Sequence, residues 1–221
     1  MINPHARVPF LVRPLAHADL AFVLAQHHTH FPDNVLGRLG DGFLRRYYGT
    51  FIESPHAAAL VATRNGSPIG YLVGIEDTRA HRAWLRRHRA PGLMIALTWS
   101  FSRRPRLAFQ LWRARRARRR LPSTASSAAS AVGQADPVAV LSHLAVQSQH
   151  HGGGVGHQLV AIFVDGATAA GAARIVVATA DDNVAAARLY EKHGWRVESR
   201  RTMFDGRTIR IYDKPLTEHT N

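Results

Sequence analysis

A chain of 221 residues with 46% hydrophobic and 20% charged residues has a globular composition and is long enough to bury one core. It contains no cysteine, which excludes disulfides, thiolate catalysis and zinc sites built on cysteine. No run approaches the roughly 20 apolar residues of a membrane-spanning helix, and no secretory signal is seen, so we expect a cytoplasmic protein.

The formal net charge of +14 comes from one segment of the chain. Fourteen arginines and no acidic residue lie between Thr78 and Arg120, whereas the rest of the chain balances fifteen Lys and Arg against fifteen Asp and Glu. Because only Lys192 and Lys214 are lysine, arginine is the general cation of this protein, but that preference does not explain the clustering. The positive field is therefore local, which argues against a nucleic-acid-binding surface over the whole protein.

The first part of the chain alternates helix and strand patterns. These predict a strand at 8–12, helices at 17–26 and 39–52, and strands at 58–63 and 69–75. The pair Asn65-Gly66 lies between the last two strands and is a strong signal of a two-residue hairpin turn.

The basic segment follows this hairpin. Helical patterns are expected at 81–88 and 107–119, and the small, polar residues of 121–134 predict a mobile loop. We interpret residues 78–136 as an insertion within a single domain that spans 1–221.

The last part of the chain has an α/β pattern. It predicts a strand at 138–146, a helix at 156–170, a strand at 174–179, a helix at 183–193, and a terminal hairpin with strands at 195–201 and 208–214. Gly194 is expected to cap the second of these helices, and the first helix is expected to join two parallel strands.

Residues 144–160, LAVQSQHHGGGVGHQLV, are expected to form a strand, a glycine turn and a helix start. A helix N-terminus presents unpaired N–H groups and a partial positive charge, and glycines let the backbone approach an anion closely. The dinucleotide pattern G-x-G-x-x-G fails because His157 or Leu159 stands where it requires glycine, and the P-loop pattern fails as well. The loop is therefore expected to hold a diphosphate in another way, although a glycine cluster alone is equally typical of a turn that binds nothing.

This loop resembles the acyl-CoA signature of the GNAT superfamily, [Arg/Gln]-x-x-Gly-x-[Gly/Ala], with His151 at its first position and Gly156 at its last. Residues 183–195, NVAAARLYEKHGW, resemble the superfamily's N-x-x-A-x-x-x-Y-E-x-x-G-[Phe/Trp] element. The resemblance covers residues 138–216 well and 8–76 loosely. Histidine at 151 departs from the usual Arg or Gln, which is expected to weaken cofactor affinity or to make it pH-dependent.

The resemblance implies an α/β fold with a mixed, mostly antiparallel sheet flanked by helices and splayed near the glycine loop. The basic helical insertion would lie between strands 3 and 4. It also implies acetyl-CoA (acyl-CoA) as co-substrate and no metal. The implied cofactor contacts are Leu144, Ala145, Val146, His151, Gly152, Gly153, Gly154, Val155, Gly156, His157 and Asn183.

The implied reaction is direct transfer of an acyl group from a thioester to an amine. It requires a neutral amine, a polarised carbonyl and a proton for the departing thiolate. By resemblance Tyr190 is the general acid, with a purely structural aromatic as the alternative. A backbone N–H from the strand that precedes the loop would polarise the carbonyl.

The sequence leaves three alternatives for the general base. Ala178 occupies the position in the later strand where a carboxylate would serve, so Ser142 and His143 in the earlier strand are the polar candidates, and a water chain is a third alternative. Alternation places Ser142 and His143 on opposite faces, unless a bulge changes the parity.

The acceptor pocket of this fold borders the first two helices. His27, His28 and His30 fall there, and because no carboxylate spacing or cysteine supports a metal, we interpret them as solvated loop histidines. Further candidates for lining the pocket are Phe31, Tyr47 and Tyr48.

Four interpretations of the basic insertion remain open. The first is a lid that attracts anions, and the second is a nucleic-acid contact through the basic helix at 113–120. The third is a contact with an anionic membrane through aromatics in 78–120, and the fourth is a solvated face.

The predicted function is transfer of an acetyl group to a primary amine of a small metabolite or a peptide. The alternative is a non-catalytic acyl-CoA-binding or nucleic-acid-binding module on the same fold. O-acylation and a homodimer are left open.

Overall fold

The computed structural model describes residues 10–32, 34–88, 137–203 and 206–216. Its strands are β1 (Leu11–Pro14), β2 (Ala57–Arg64), β3 (Ser67–Ile75), β4 (Val138–Val146), β5 (Arg174–Ala180), β6 (Arg196–Thr202) and β7 (Thr208–Pro215). Its helices are α1 (Leu20–His30), α2 (Val35–Arg38), α3 (Asp41–Glu53), α4 (Thr78–His88), α5 (Val155–Ala169) and α6 (Val184–Lys192). Short 3-10 turns lie at His17–Asp19 and Ser148–His150.

The strands form one seven-stranded sheet in the order β1-β2-β3-β4-β5-β7-β6. All neighbouring pairs are antiparallel except β4 and β5, which run parallel. Helix α5 connects this parallel pair, as a crossover between parallel strands requires. The expected mixed, mostly antiparallel sheet flanked by helices is confirmed.

The hairpin between β2 and β3 turns through Asn65 and Gly66, as the sequence predicts. Both residues have positive φ, 51° and 78°. A two-residue turn of this kind matches the right-handed twist of the flanking strands.

A β-bulge interrupts the pairing of β3 with β4. Val73 pairs with His143 and Gly74 pairs with Leu141, so Ser142 is an extra residue on β4. Each extra residue in a strand reverses the side-chain alternation beyond it. The bulge therefore decides which face of the sheet His143 joins.

Strands β4 and β5 separate next to this bulge. Their pairing runs from Val138 opposite Arg174 to Leu141 opposite Val177, although β4 continues to Val146 and β5 to Ala180. Among the described strands, residues 143–146 of β4 thus pair only with β3, and Ser142 is the bulge residue before them. The sheet is splayed there, beside the glycine loop.

Helices cover both faces of the sheet. On one face, α5 and α6 bury Leu159, Phe163 and Tyr190 against residues such as Ile175. On the other, α1 and α3 bury Leu24, Leu44 and Tyr48 against Val61 and Tyr71.

Two helices, α1 and α4, bear on the predictions made from the sequence. Helix α1 runs to His30, so the assignment of His27, His28 and His30 to a loop is wrong. Helix α4 lies between β3 and β4, where the insertion was expected to begin, whereas the second basic helix and the polar loop predicted within 107–134 lie outside the described residues. In the described ranges no helix is both long and apolar enough to cross a membrane.

Candidate functional site

The glycine loop ends in a helix start with free amides. Gly152 and Gly154 have φ of 74° and 86°, a left-handed conformation that favours glycine. The hydrogen-bond ladder of α5 begins with the Gln158 N–H and the Gly154 carbonyl, 3.0 Å apart, so the amides of Val155, Gly156 and His157 precede it. Across the described residues, no acceptor faces the amides of Gly152 or Gly154. The loop thus concentrates donors and the positive end of a helix dipole.

The free edge of β4 leads into this loop. Leu144, Ala145 and Val146 pair with Leu72, Tyr71 and Gly70 on one side, while their other side faces the opening between β4 and β5. Backbone groups along such an edge need partners, and an extended ligand can supply them as a neighbouring strand would.

The side chain of His151 turns back toward β4. Its Nε2 lies 2.8 Å from the Val146 carbonyl oxygen, to which it donates a hydrogen bond. This contact ties the loop to the end of the strand. The imidazole is therefore engaged away from the amides that begin α5.

Arg64, a residue that sequence reasoning missed, also reaches the loop. Its Nη1 lies 3.2 Å from Nδ1 of His150, and its Nη2 lies 3.9 Å from the point where a Cβ on Gly153 would stand. The available signal was its position at the end of β2, immediately before the hairpin turn.

Tyr190 lies in the core between α6 and the sheet. Its ring packs 5.3 Å from Trp195 and 5.6 Å from Tyr212, measured between ring centroids, and only 4% of its surface is exposed. Burial raises the pKa of its phenol, and the nearby Tyr212 adds to this shift. Tyr190 therefore keeps its proton at physiological pH, as a general acid must.

Asn183 has a structural role that the sequence analysis did not assign. It is the N-cap of α6, where its Oδ1 accepts a hydrogen bond from the Ala186 N–H at 3.0 Å. This cap satisfies one of the unpaired amides of the helix start and fixes where α6 leaves β5.

The bulge places His143 on the α1 and α3 face, while Leu144 and Val146 face α5 and α6. The rings of His27, Phe31, Tyr47 and Tyr48 surround the imidazole of His143 at centroid distances between 5.2 and 5.8 Å. Burial, together with the nearby His27, lowers the pKa of His143 to about 3. His143 is therefore neutral at physiological pH, and its Nδ1 has no partner within the described ranges.

A chain of hydrogen bonds runs behind His143. His27, which is fully buried, lies 2.7 Å from the hydroxyl of Tyr48 through its Nδ1, and that hydroxyl lies 2.9 Å from the hydroxyl of Tyr71. Burial lowers the pKa of His27 to about 4 and raises the pKa of Tyr48 and Tyr71. All three groups are therefore uncharged at neutral pH.

The predicted catalytic residues fall on two faces of the sheet. Tyr190 belongs to the core beneath α5 and α6, whereas His143 belongs to the aromatic group beneath α1 and α3. Ser142, at the bulge between them, is half-buried. The opening between β4 and β5 lies between these two environments.

No cluster of three or more metal-ligating side chains occurs in the portion that the structure describes. The closest pair of histidines near the loop is His157 and His193, whose Nδ1 and Nε2 atoms are 2.9 Å apart. Burial lowers the pKa of both residues, so one neutral ring donates to the other. The pair joins the first turn of α5 to the end of α6.

The described part of the basic insertion is docked on the domain. The ring of His81 stacks on Phe51 and on Trp84, and its Nδ1 lies 2.8 Å from Ser54 Oγ. Trp84 in turn stacks on His88. The predicted lid, nucleic-acid and membrane roles concern 78–120, of which only residues 78–88 are described, so these remain predictions.

Two parallel strands that open beside a glycine-rich helix start define an α/β protein able to hold a phosphate-bearing ligand with an extended arm. A model of the family described as "Acetyltransferase (GNAT) family" matches residues 26–195. The chain belongs to this family.

Solved structures agree with this fold. The chain is similar to Ard1 from Thermoplasma volcanium, with a TM-score of 0.59 and 15% identity over 95% of this chain and 99% of that one. It is also similar to yncA, a putative acetyltransferase from Salmonella typhimurium solved with its cofactor acetyl-CoA, with a TM-score of 0.59 and 16% identity over 96% and 97% of the two chains. A ribosomal-protein-alanine N-acetyltransferase from Brucella melitensis gives a TM-score of 0.57 and 16% identity over 93% and 99%.

No curated protein matches the chain. Membership of this family assigns the general reaction, which is acyl-CoA-dependent acetyl transfer with acetyl-CoA as co-substrate. The residues present fit that molecule. Free amides at the start of α5 suit a diphosphate, and the unpaired edge of β4 suits the amide groups of a pantetheine arm.

Proposed function

We propose that this protein transfers an acetyl group from acetyl-CoA to a primary amine of a small metabolite or a peptide. The observation that carries the proposal is the unpaired edge of β4 that leads into the amide-rich start of α5. Tyr190, which is buried in the same core cluster as Leu159 of α5 and keeps its proton, is proposed as the general acid. Among the structures with this fold, a NatC complex bound to Gag peptide and CoA, with a TM-score of 0.59 and 17% identity over 94% of this chain and 99% of that one, is consistent with a peptide acceptor.

In this proposal the amides of residues 152–157 bind the diphosphate, and the free edge of Leu144, Ala145 and Val146 pairs with the arm. When bound, acetyl-CoA supplies an acyl group already activated as a thioester. A backbone N–H on the free edge of β4 donates to the thioester carbonyl and so favours attack on it. Asn183 contributes by capping α6, which holds Tyr190 in place.

Tyr190 is proposed to donate its phenolic proton to the sulfur as the thiol leaves. Its raised pKa keeps that proton in place until a thiolate develops next to it. No other described residue hydrogen-bonds to its hydroxyl, which leaves this group free for the co-substrate.

The acceptor amine is proposed to enter on the face that carries His143. With a pKa of about 3, His143 is too weak a base to remove a proton from an ammonium ion, which is far more basic. We therefore propose that His143 and Ser142 orient the amine, and that its proton leaves through a water chain. Phe31 and Tyr47, whose rings lie 5.2 and 5.8 Å from His143, would line the acceptor side.

A panel of acceptors tests the proposal. Primary amines, peptides with a free N-terminus and alcohols are each incubated with acetyl-CoA, and release of coenzyme A is followed with a thiol reagent while mass spectrometry detects the acetylated product. Because the protein has no cysteine, it contributes no thiol background. We expect release that depends on an amine and a product that gains one acetyl group.

The alternative is a binding module that holds acetyl-CoA without transferring its acyl group. Tight binding of acetyl-CoA with no turnover on any acceptor in the panel would favour the module over the enzyme. Turnover on alcohols alone would replace N-acylation with O-acylation.

A further inference from the structure

Of the three half-buried arginines other than Arg64 in the described residues, two have carboxylate partners, and Arg201, on the edge strand β6, has none. Arg174 pairs with Asp213 at 2.9 Å and Arg210 pairs with Asp181 at 2.8 Å. Within the described ranges no carboxylate lies in ion-pair contact with Arg64, and its polar contact there is with His150. Its Nε is buried and has no hydrogen-bond partner in the described part of the chain.

The half-buried guanidinium of Arg64 lies against the glycine loop, where it can bind an anion. Burying a charged group without a counter-charge is costly, and proteins normally pair it. Around Arg64 the loop offers further positive character, because Gly153 lies close to Nη2 and the free amides at the start of α5 follow it. Arg64 and the amides together form a positive site that no carboxylate of the described residues neutralises.

The hairpin is built so that Arg64 faces this loop. A second bulge lies between Ala62 and Thr63 of β2, where Ile69 is the extra residue on β3. The carbonyl of Ile69 accepts a hydrogen bond from the Gln147 N–H at 2.9 Å. This bond ties the end of the β2–β3 hairpin to the segment that leads from β4 into the glycine loop.

We propose that Arg64 is a phosphate-binding residue that contacts the diphosphate of acetyl-CoA from the β2 side of the glycine loop. This inference rests on the proposed function. The diphosphate is favoured over the 3′-phosphate because Nη2 of Arg64 lies 3.9 Å from the point where a Cβ on Gly153 would stand, inside the run of amides that would hold the diphosphate. His151 is held by Val146, so the side-chain cation at this loop comes from β2.

The test is titration calorimetry of wild type and Arg64→Met with acetyl-CoA and with its 3′-dephospho form. Methionine keeps the apolar stem and removes the charged group. We expect the dissociation constant to rise about 10- to 100-fold for both ligands, the loss of a charge-assisted hydrogen bond. Arg64→Lys, which keeps the charge but not the fork geometry, should give an intermediate value.

Arg196→Met is the matched control because it removes the same charge from β6, at the opposite edge of the sheet, where the side chain is exposed. Its affinity should equal that of wild type. With an acceptor amine present, Arg64→Met should raise the KM for acetyl-CoA and leave kcat nearly unchanged, which damage to the fold would not do.

Equal affinity of Arg64→Met and wild type for acetyl-CoA would overturn the inference while leaving the proposed function intact. A loss seen with acetyl-CoA but not with the 3′-dephospho form would also overturn it, because Arg64 would then contact the 3′-phosphate. If Arg64→Met fails to fold, the test uses Arg64→Lys instead. An affinity of Arg64→Lys for acetyl-CoA equal to that of wild type would then contradict a contact through the guanidinium fork. Failure of wild type to bind acetyl-CoA would remove the proposed function, and this inference with it.

Discussion

Tyr190 and Tyr212 share one aromatic cluster but have different surroundings at their hydroxyl groups. The hydroxyl of Tyr212 lies 3.3 Å from Glu191 Oε1 and 3.2 Å from Nη1 of Arg210. The hydroxyl of Tyr190 has no such contact to another described residue. This contrast separates a tyrosine held by its neighbours from one whose proton is available.

Replacing Tyr190 with Phe should lower kcat by about 10²- to 10⁴-fold, because a general acid is lost while the ring packing is kept. Acetyl-CoA affinity, measured by calorimetry, should stay within about twofold, given that the diphosphate contacts are untouched. Tyr212→Phe is the control, with an expected loss of about 1 kcal/mol in unfolding free energy and little change in kcat. Equal kcat for Tyr190→Phe and wild type would show that Tyr190 has a structural role and is not the general acid.

The pH profile of the reaction should reflect the acceptor rather than His143. With the pKa of His143 at about 3, its protonation state is constant above pH 5. We therefore expect kcat/KM to rise through the pKa of the acceptor amine, with no inflection near 6.5. An inflection near 6.5 that disappears in His143→Gln would instead make His143 the general base.

At the scale of elements, the sequence predicted strands better than helix faces. The bounds of β4 match the prediction at 138–146, and the Asn65-Gly66 turn is as expected, because alternation and turn residues act locally. Helix α1 continues four residues beyond the predicted end at 26, because His27 is a buried core residue. His27 follows Val23 and Leu24 at helical spacing and packs on the same face.

The sequence predicts the parts of the candidate site that are formed by one continuous segment of the chain. The glycine loop and α6 carry local patterns, so their positions could be given from sequence. Arg64 reaches the loop across 86 residues of chain, and the direction of His143 depends on the Ser142 bulge, which no local pattern marks. The roles assigned to Ser142, His143 and Tyr190 stay predictions, as do the domain limits of 1–221 and the insertion at 78–136.

Close packing of β3 against α5 allows a sharp stability test at Gly74. A Cβ at this position would lie 2.6 Å from Cζ of Phe163 and 3.0 Å from the Val140 carbonyl oxygen, both too close. Gly74→Ala should therefore lower the unfolding free energy by about 1–3 kcal/mol, measured by urea denaturation. Gly42→Ala, on α3 with only Arg46 Nη1 nearby at 3.9 Å, should be neutral or stabilising by up to about 1 kcal/mol. Equal stability of the two variants would show that β3 and α5 are not so closely packed.

At the scale of the whole molecule, buried histidines link stability to pH. Burial lowers the pKa of His27 and His81 to about 4 and that of His143 to about 3. The unfolded chain binds these protons first, near pH 6.5, so the folded state is fully favoured above that pH and loses stability as the pH falls toward 4. Each histidine contributes up to about 2 kcal/mol of loss between pH 6.5 and 5.

This linkage can be measured by urea unfolding at several pH values. The unfolding free energy should fall between pH 6.5 and 5, and His143→Phe should reduce the slope. His88→Asn changes an exposed histidine and should leave the slope unaltered. A flat profile for wild type would mean that these histidines are not held neutral in the folded protein.

The proposed binding of acetyl-CoA depends most on the amides at the start of α5, which would hold its diphosphate. The direct measurement is a pair of calorimetric titrations at ordinary ionic strength, one with acetyl-CoA and one with S-acetylpantetheine, which has the arm and the thioester but no diphosphate. We predict a dissociation constant for acetyl-CoA between about 1 µM and 1 mM, and binding of S-acetylpantetheine at least about 100-fold weaker. No heat with acetyl-CoA, or equal affinity for the two compounds, would show that these amides do not hold the diphosphate.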